Sequence, residues 1–324
     1  MRYPGEWEPH ERTIMGWPCR KELWGPTLEQ ACVDYAYVAN AIADFEDVTM
    51  IAGSEEDAQA ARAACTARVQ VVELPIDDSW LRDSGPIYVV DDSGGRVAVH
   101  FGFNAWGEKF PPWDKDAEIG GLIARELGDE VHKAPLVLEG GSVISDGAGT
   151  ILTTEQCLLS PNRNPSLSQG AIEELLAEYL GAERIVWLGQ GLVEDRDTDG
   201  HVDLIAAFTP DRRALVQTAP ADNPNHENCA ENAQRLHDAG IETVEIPHLP
   251  YREVAGEQVA VGYLNLYICN DAVIVPATGD EYDDEAAAII ADAFPGRSVV
   301  PVPGATIAYG GGGPHCITQQ VPAS

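Results

Sequence analysis

The chain is organised around its last turn, which reads Gly310-Gly311-Gly312-Gly313-Pro314-His315-Cys316-Ile317-Thr318-Gln319-Gln320. Consecutive glycines lose more backbone entropy on folding than other residues, so a compact enzyme keeps them where its backbone must approach another group closely. Cys316 stands at the end of that approach. A flexible tail is the alternative interpretation, because chain ends are often poorly ordered. The specific run that follows the glycines argues against a plain linker.

The charge of the chain limits its possible partners. The sequence has 53 acidic and 20 basic residues in 324, a formal net charge of -33. Such a field repels nucleic acid and anionic membranes, and it draws small cations into acidic clefts. General solubility or adaptation to salt accounts for most of this charge, so only carboxylates inside a cleft bear on chemistry. We predict a small cationic substrate, with neither nucleic acid nor membrane as a partner.

Cysteine usage and the start of the chain indicate the compartment. The seven cysteines are an odd number and contain no Cys-x-x-Cys pair, which argues against a disulfide framework and a zinc ribbon. The first residues are followed by charged sequence without an apolar signal segment, and no stretch of about 18 apolar residues occurs. We expect a cytoplasmic protein that forms a homodimer.

Apolar periodicity predicts alternating helices and strands, which is typical of the α/β class. The predicted helices span residues 27–45, 54–66, 116–127, 168–180, about 227–239 and 283–294. The predicted strands span residues 13–17, 48–52, 69–74, 87–90, 97–101, 136–138, 142–145, 150–154, 185–188, 204–208, 214–218 and 299–302. Glycines at 94 and 95 predict a hairpin turn over residues 91–95.

The predicted helices recur regularly. Four of them begin near residues 116, 168, 227 and 284, and each lies between strand pairs. The helix at 54–66 extends the rhythm to five. A period of roughly 50 to 60 residues suits a ring of β-rich blades, although an ordinary α/β sheet also tolerates it. Because no linker-like segment divides the chain, we predict a single catalytic domain over residues 1–324.

Four loop segments carry an acid, a histidine or a thiol beside glycine. They read Trp80-Leu81-Arg82-Asp83, Glu139-Gly140-Gly141, Gly200-His201-Val202-Asp203 and Gly313-Pro314-His315-Cys316. In a ring of repeated units the equivalent strand ends converge, and loops on a rigid scaffold are where catalytic groups concentrate. Each motif alone is common by chance. Together they predict one central pocket.

The residue types in these loops fit attack on a guanidinium ion. A thiolate is a strong nucleophile, and a histidine such as His201 can supply or relay protons near neutral pH. The planar fork of guanidinium N–H donors matches paired carboxylates. Structural roles are the alternatives: Asp83 could pair with Arg82 or cap a turn, Glu139 could be exposed, and His201 with Asp203 could bond loop backbone.

These motifs resemble those of the agmatine deiminase family, which belongs with the bacterial-type peptidylarginine deiminases in the guanidine-modifying superfamily. Six motifs occur in the family's order: 6–11, 77–86, 103–107, 138–142, 198–203 and 315–320. The resemblance implies a pentein-like fold, a five-bladed pseudo-symmetric α/β propeller with its active site in the central pocket. It also implies hydrolysis of agmatine to N-carbamoylputrescine and ammonia without a metal or organic cofactor.

The resemblance also implies roles for individual residues. Cys316 matches the nucleophile, His201 the base that transfers protons, and Glu139 its acidic neighbour. Asp83 and Asp203 match the carboxylates that hold the guanidinium. The implied pathway passes through a covalent amidino-thioether, which water activated by His201 resolves.

Contacts to the rest of the substrate are predicted from charge and aromaticity. Acids can pair with an ammonium, and an indole face attracts one by roughly 0.5 to 2 kcal/mol. The family commonly has Asn and an aliphatic residue before His-Cys, where this chain has Gly313 and Pro314, and this departure concerns the substrate's tail. The predicted substrate-binding residues are Glu6, Trp7, Glu8, Trp80, Trp106 and Gly313.

The sequence is also compatible with other functions. A cysteine protease would use Cys and His but has no need of three carboxylates. A zinc hydrolase could draw its ligands from His201, Asp203, His315 and Cys316. A non-catalytic binding propeller is a third alternative. Within the deiminases, peptidyl-arginine, free arginine or a guanidino acid could replace agmatine as the substrate.

Overall fold

The computed structural model describes residues 1–91 and 93–323. Asp92, within the predicted turn at 91–95, lies outside the described residues. The helices are α1 Lys21–Trp24, α2 Leu28–Ala43, α3 Glu55–Ala64, α4 Leu81–Ser84, α5 Ala105–Glu108, α6 Asp116–Leu127, α7 Glu155–Leu158, α8 Gln169–Leu180, α9 His226–Asp238, α10 Asp283–Ala293 and α11 Ala305–Tyr309. Within the described ranges, none of them has both the length and the apolar composition needed to cross a membrane.

Across residues 1–91 and 93–323, the strands form five sheets of three or four strands and one separate hairpin. The strands are β1 His10–Gly16, β2 Asp47–Ala52, β3 Val69–Glu73, β4 Ile87–Val90, β5 Arg96–Gly102, β6 Glu130–Val137, β7 Ile144–Ser145, β8 Thr150–Thr154, β9 Arg184–Leu188, β10 Ala206–Phe208, β11 Ala214–Gln217, β12 Thr243–Ile246, β13 Tyr251–Val254, β14 Glu257–Ala260, β15 Tyr267–Cys269, β16 Ala272–Ala277, β17 Ser298–Pro303 and β18 Thr318–Pro322. The separate hairpin is β13–β14.

One unit repeats around the molecule. An antiparallel pair of strands is followed by a helix, which returns the chain to a third strand parallel to the second. Four sheets have this form: β4-β5-β6 with α6, β7-β8-β9 with α8, β10-β11-β12 with α9, and β15-β16-β17 with α10. A helix is the usual crossover between parallel strands. The predicted α/β class and five-bladed propeller are confirmed.

The fifth blade joins the two ends of the chain. Strand β18 pairs antiparallel with β1, placing Ile14 opposite Gln319, and β1 pairs parallel with β2. The crossover helix of this blade is therefore α2. The prediction that the helix at 54–66 completes the rhythm is wrong, because α3 leads to an additional edge strand, β3. Helix spacing along the chain cannot show that the last strand belongs to the first blade.

All six predicted helices are present, with ends within two residues of the prediction. Ser54 caps α3 by accepting a hydrogen bond from the Asp57 amide at 3.2 Å. Two predicted strands start late, at Ile144 and Ala206, because the 3-10 turns Gly140–Ser142 and Val202–Leu204 precede them. Strands β12 to β16 and β18 were not predicted.

The end of the chain is part of the core. All five residues of β18 are buried, and Val321 packs with Ile14 and Leu81. The alternative of a flexible tail is therefore wrong. The preceding glycine run instead brings Cys316 against the centre of the ring.

Candidate active site

The centre of the propeller collects the four predicted loops. Asp83 lies on α4, Glu139 precedes the turn Gly140–Ser142, and Cys316 precedes β18. His201 and Asp203 flank the start of the turn Val202–Leu204. Each of these five residues is at most 4% exposed. Carboxylates buried this deeply require partners, because burial of an unpaired charge is costly.

Gly141 lies at the point where three of the side chains meet. A methyl group added there would lie 2.7 Å from both Asp203 Oδ2 and His201 Nδ1, and 2.9 Å from Asp83 Oδ1. The Gly141 amide also donates a hydrogen bond to Asp83 Oδ1 at 2.9 Å. The three side chains can therefore converge here only because residue 141 is a glycine.

The glycine run gives the Cys316 thiol its place. A methyl group on Gly312 would lie 2.7 Å from Cys316 Cβ and 2.8 Å from the Trp80 ring. The Cys316 amide donates to Asn265 Oδ1 at 3.2 Å, and the thiol lies 3.5 Å from Asp203 Oδ2. The predicted close backbone approach is thus present.

The electrostatic environment of the thiol disfavours a thiolate in the resting site. Burial, followed by the charges of Asp203 and Asp83, raises the pKa of Cys316 well above its ordinary value. The backbone and Asn265 hydrogen bonds oppose this rise but do not cancel it. A cation beside the thiol would lower its pKa, because it would offset the two carboxylates.

The two aspartates differ in their surroundings. Asp83 accepts from Trp106 Nε1 at 2.8 Å and lies 3.8 Å from His201 Nδ1. Burial raises the pKa of Asp83 despite the opposing charge of His201. Burial also works against ionised Asp203, yet the hydrogen bond and charge of His315 hold the pKa of Asp203 below its ordinary value. Asp203 Oδ1 is buried without a hydrogen-bond partner in the described part of the chain.

His201 and Glu139 each have unused hydrogen-bonding capacity. Neither ring nitrogen of His201 has a partner among the described residues, and the same holds for Glu139 Oε2. Glu139 Oε1 accepts from Arg163 Nε at 2.6 Å. Arg163 also donates to Thr198 O and to Asp199 Oδ2, both at 2.9 Å. This arginine therefore ties the Glu139 loop to the loop that carries His201.

A cavity of about 350 Å³ opens at the thiol. Trp80, Trp106 and Phe110 contribute aromatic wall, while Asp83, Asp197 and Cys316 contribute polar groups. Every charged side chain that lines the cavity within residues 1–91 and 93–323 is acidic, and the third of them, Asp78, is paired with Arg20 Nε at 2.9 Å. The negative charge of this lining suits a cation.

The indole of Trp106 is fixed by an unusual backbone. Residues 105–108 all have positive φ, with values of 51°, 57°, 90° and 64°. Non-glycine residues adopt this region at a cost of about 1 to 3 kcal/mol each, and such strain is concentrated at functional sites. The strained turn directs the Trp106 N–H to Asp83 and keeps the ring on the cavity wall.

The structure corrects the prediction for the first residues of the chain. Glu6 lies behind the site, where its Oε1 contacts His315 Nε2 at 2.8 Å. Trp7 packs against two hydrophobic clusters, and Glu8 binds Arg2 Nη2 at 2.8 Å. None of the three lines the cavity at Cys316. Their composition suits a binding surface, but His315, the hydrophobic clusters and Arg2 occupy these side chains instead.

Gly313 also lies beside the cavity rather than in its wall. A methyl group there would come within 2.7 Å of Asn265 Oδ1, and Gly313 lines a neighbouring cleft of about 1120 Å³. Asp197 lines both this cleft and the cavity. Gly313 therefore contributes space for Asn265, which holds the Cys316 amide.

Three site residues were not identified from the sequence: Arg163, Asp197 and Asn265. A signal existed for Asn265, which interrupts the apolar stretch 259–275 and is 2% exposed. A polar residue inside an apolar run is unusual unless it has a buried partner. Arg163 and Asp197 gave no such signal, because they stand in polar loops.

The four ligands of the alternative zinc hydrolase, His201, Asp203, His315 and Cys316, do not form a metal-binding group within the described residues. Both ring nitrogens of His315 face carboxylates, with Asp203 Oδ2 at 2.9 Å and Glu6 Oε1 at 2.8 Å. In the part of the chain that the structure describes, one group has metal-binding spacing: Glu139, Cys157 and His201, whose ligand atoms lie within 4.8 Å of one another. The Arg163 guanidinium bound to Glu139 opposes a metal cation there.

The fold and the site together define a class: an α/β propeller with a buried thiol, an imidazole and three carboxylates at its centre. The chain belongs to the Porphyromonas-type peptidyl-arginine deiminase family, which matches residues 2–322. It is 41% identical over 350 residues to the agmatine deiminase of Stutzerimonas stutzeri, covering 99% of this chain and 95% of that protein. The agmatine deiminase of Pseudomonas aeruginosa (strain LESB58) is 40% identical over 353 residues, with 100% and 96% covered.

A solved structure supports the same relationship. The agmatine deiminase of Enterococcus faecalis superposes with a TM-score of 0.94 at 33% identity, covering 99% of this chain and 95% of that chain. A substrate-bound Cys-to-Ser variant of C. jejuni agmatine deiminase superposes with a TM-score of 0.93 at 27% identity, covering 100% and 96%. The predicted family is confirmed.

Replacing Gly141 by alanine tests the convergence at the centre. We expect Gly141→Ala to lower kcat/KM for a guanidino substrate by about 100-fold or more, because a shift of about 1 Å in catalytic groups has that effect. Gly170→Ala is the matched control, since Gly170 is exposed on α8 and an added methyl group meets nothing within 4 Å. Equal activity of the two folded variants would contradict this geometry.

Proposed function

We propose that this protein is an agmatine deiminase, which hydrolyses agmatine to N-carbamoylputrescine and ammonia. One observation carries the proposal: the Cys316 thiol and Asp83 face a cavity whose charged lining residues are all acidic. A cationic carbon electrophile is stabilised there, and its charge also favours the thiolate that attacks it. The agmatine deiminases similar to this chain support the same conclusion.

Binding places the guanidinium between the two aspartates. Asp83 accepts N–H donors at the cavity wall. Asp203, whose Oδ2 lies 3.5 Å from the thiol, accepts others through its unpartnered Oδ1. Charge-assisted hydrogen bonds of this kind are roughly twice as strong as neutral ones. The substrate cation thereby compensates the carboxylates that raise the pKa of the Cys316 thiol.

The first half-reaction forms the covalent intermediate. His201 takes the thiol proton, sulfur bonds to the guanidinium carbon, and the C–N bond to one NH2 group breaks. His201 returns the proton to the departing nitrogen, which leaves as ammonia. Glu139, with a ligand atom within 4.8 Å of a His201 ring nitrogen, stabilises the imidazolium form.

The second half-reaction restores the thiol. A water molecule enters where ammonia left, and His201 takes one of its protons as oxygen bonds to the amidino carbon. The C–S bond breaks, the ureido product leaves, and the sulfur regains a proton. The step releases one proton to solvent, so no external oxidant, reductant or metal is required for its balance.

Substrate selection is assigned to the acidic wall. Asp197 lines the cavity that holds the thiol, so its carboxylate is available to the terminal ammonium of agmatine. The carboxylate of free arginine would face acids instead. A thiol that is 3% exposed behind aromatic walls favours a slender free guanidine over an arginyl peptide.

Several sequence-based expectations stay predictions. These are the catalytic roles of the five central residues, the homodimer, the cytoplasmic location and the single catalytic domain over 1–324. Catalysis without a metal or organic cofactor is a further prediction. Activity that is unchanged after dialysis against a chelator would support it.

A substrate panel tests the proposed function directly. We expect ureido product from agmatine with a kcat/KM at least about tenfold above that for free arginine, guanidinobutyrate or an arginyl peptide, because an acidic wall discriminates against carboxylates and bulk. Equal values for agmatine and free arginine would contradict agmatine as the substrate. A preference for the peptide would assign the peptidyl-arginine activity instead.

Asp197→Asn tests the ammonium contact. We expect KM for agmatine to rise about tenfold while kcat changes less than about twofold, because the contact is the same in ground and transition states. Butylguanidine, which lacks the amine, should be used equally by wild type and variant. Asp222→Asn, at an exposed position, is the control. An equal loss on agmatine and butylguanidine would contradict the assignment.

A further inference from the structure

His315 bridges the buried carboxylate of Asp203 and the partly buried carboxylate of Glu6 directly behind the thiol. Its Nδ1 lies 2.9 Å from Asp203 Oδ2, and its Nε2 lies 2.8 Å from Glu6 Oε1. The His315 side chain is 4% exposed, so water does not compete for either nitrogen. The histidine before the nucleophile therefore has both ring nitrogens committed to acceptors.

The two carboxylate contacts of His315 determine how many protons its ring must carry. A neutral imidazole offers one N–H donor, while two ionised carboxylates are acceptors only. Satisfying both contacts therefore requires either a doubly protonated ring or a protonated carboxyl group. An unsatisfied carboxylate–nitrogen contact at this depth would be strongly unfavourable.

Arg82 decides between these possibilities at the Glu6 end. Its side chain is fully buried, and its Nη1 lies 3.5 Å from Glu6 Oε1. Burial works against the ionised form of Glu6, but the charges of His315 and Arg82 bring its pKa to about 2. Because the Arg82 guanidinium lies beside Glu6 whatever the state of the ring, Glu6 is the ionised partner and the shared proton belongs to the ring.

The charged groups around His315 also favour its protonated form. The charged and titratable groups that face the ring are Glu6 from the N-terminal segment, Arg82 from α4 and Asp203 from the turn before β10, with Cys316 next in the chain. Burial and Arg82 lower the pKa of His315, but Glu6 and Asp203 outweigh them and raise it overall.

We propose that His315 is a permanently protonated positioning residue, clamped between Glu6 and Asp203, that holds Asp203 ionised and leaves its Oδ1 free for the substrate. It neither gives nor takes a proton during turnover. The positioning role rests on the proposed function, because that function identifies the cation that Asp203 binds. The protonation state of the His315 ring does not depend on it.

The proposal explains the charge balance of the site. Glu139 is paired with Arg163, and Asp203 with His315. In the described part of the chain Asp83 has no cationic partner as close as these, because His201 Nδ1 is 3.8 Å away. The guanidinium of the substrate supplies that missing charge. Loss of the His315 proton would leave two uncompensated carboxylates around the thiol and make its ionisation harder.

The protonation state is measured on the resting enzyme. Protein labelled with 15N-histidine is titrated by NMR from about pH 5.5 to 9, a range in which an unperturbed histidine deprotonates. The His315 signals are assigned by their loss in His315→Gln. We expect both nitrogens to keep imidazolium shifts throughout. A neutral tautomer at pH 7.5 would overturn the proposal whether or not agmatine is turned over.

The positioning role is measured by a pH profile. In Glu6→Gln the ring loses one carboxylate while Arg82 remains, so His315 deprotonates at lower pH. We expect kcat/KM for agmatine to stay within about threefold of wild type near pH 6 and to fall at least about tenfold near pH 8.5. Glu11→Gln, which removes a surface carboxylate paired with Arg12 and Arg96, is the control. An equal loss of kcat/KM near pH 6 and near pH 8.5, or no loss at either pH, would overturn the positioning role of His315.

Discussion

Burial of acids around a thiol is the constraint on which the rest of the structure depends. Asp83, Glu139 and Asp203 are buried at the centre of the ring, and Glu6 lies partly buried directly behind it. Ionised groups in such a place are tolerated only with partners. Arg163 and Arg82 are therefore structural requirements of the site, although neither faces the cavity at the thiol.

The propeller satisfies this constraint because its blades bring separate loops to one axis. Three blades contribute a short helical turn near the centre, Leu81–Ser84, Gly140–Ser142 and Val202–Leu204. Hydrogen bonds connect the central loops: Arg163 donates to Glu139 and Thr198, and Asn265 accepts from the Cys316 amide. Glycine at 141 and 312 leaves the room that these approaches need. The closing strand β18 anchors Cys316 to the sheet, since it begins two residues after the thiol and pairs with β1.

The sequence predicted the helices well because their apolar stripes and caps are local signals. It also predicted which loops meet, since acids, His201 and Cys316 stood beside glycines at strand ends. It did not predict that β18 completes the first blade, because pairing between residues 14 and 319 leaves no periodic trace. Glu6, Trp7 and Glu8 were misplaced for a related reason: their partners His315, Arg297 and Arg2 come from positions that local composition does not specify.

Trapping the covalent adduct on Cys316 shows directly whether this thiol attacks a guanidinium carbon. Enzyme and agmatine are mixed, quenched in acid within the first turnover, digested and analysed by mass spectrometry. We expect the peptide containing Cys316 to gain the mass of agmatine less ammonia, and the Cys316→Ala variant to show no gain. Turnover without this adduct, or an adduct on Cys157 instead, would contradict it.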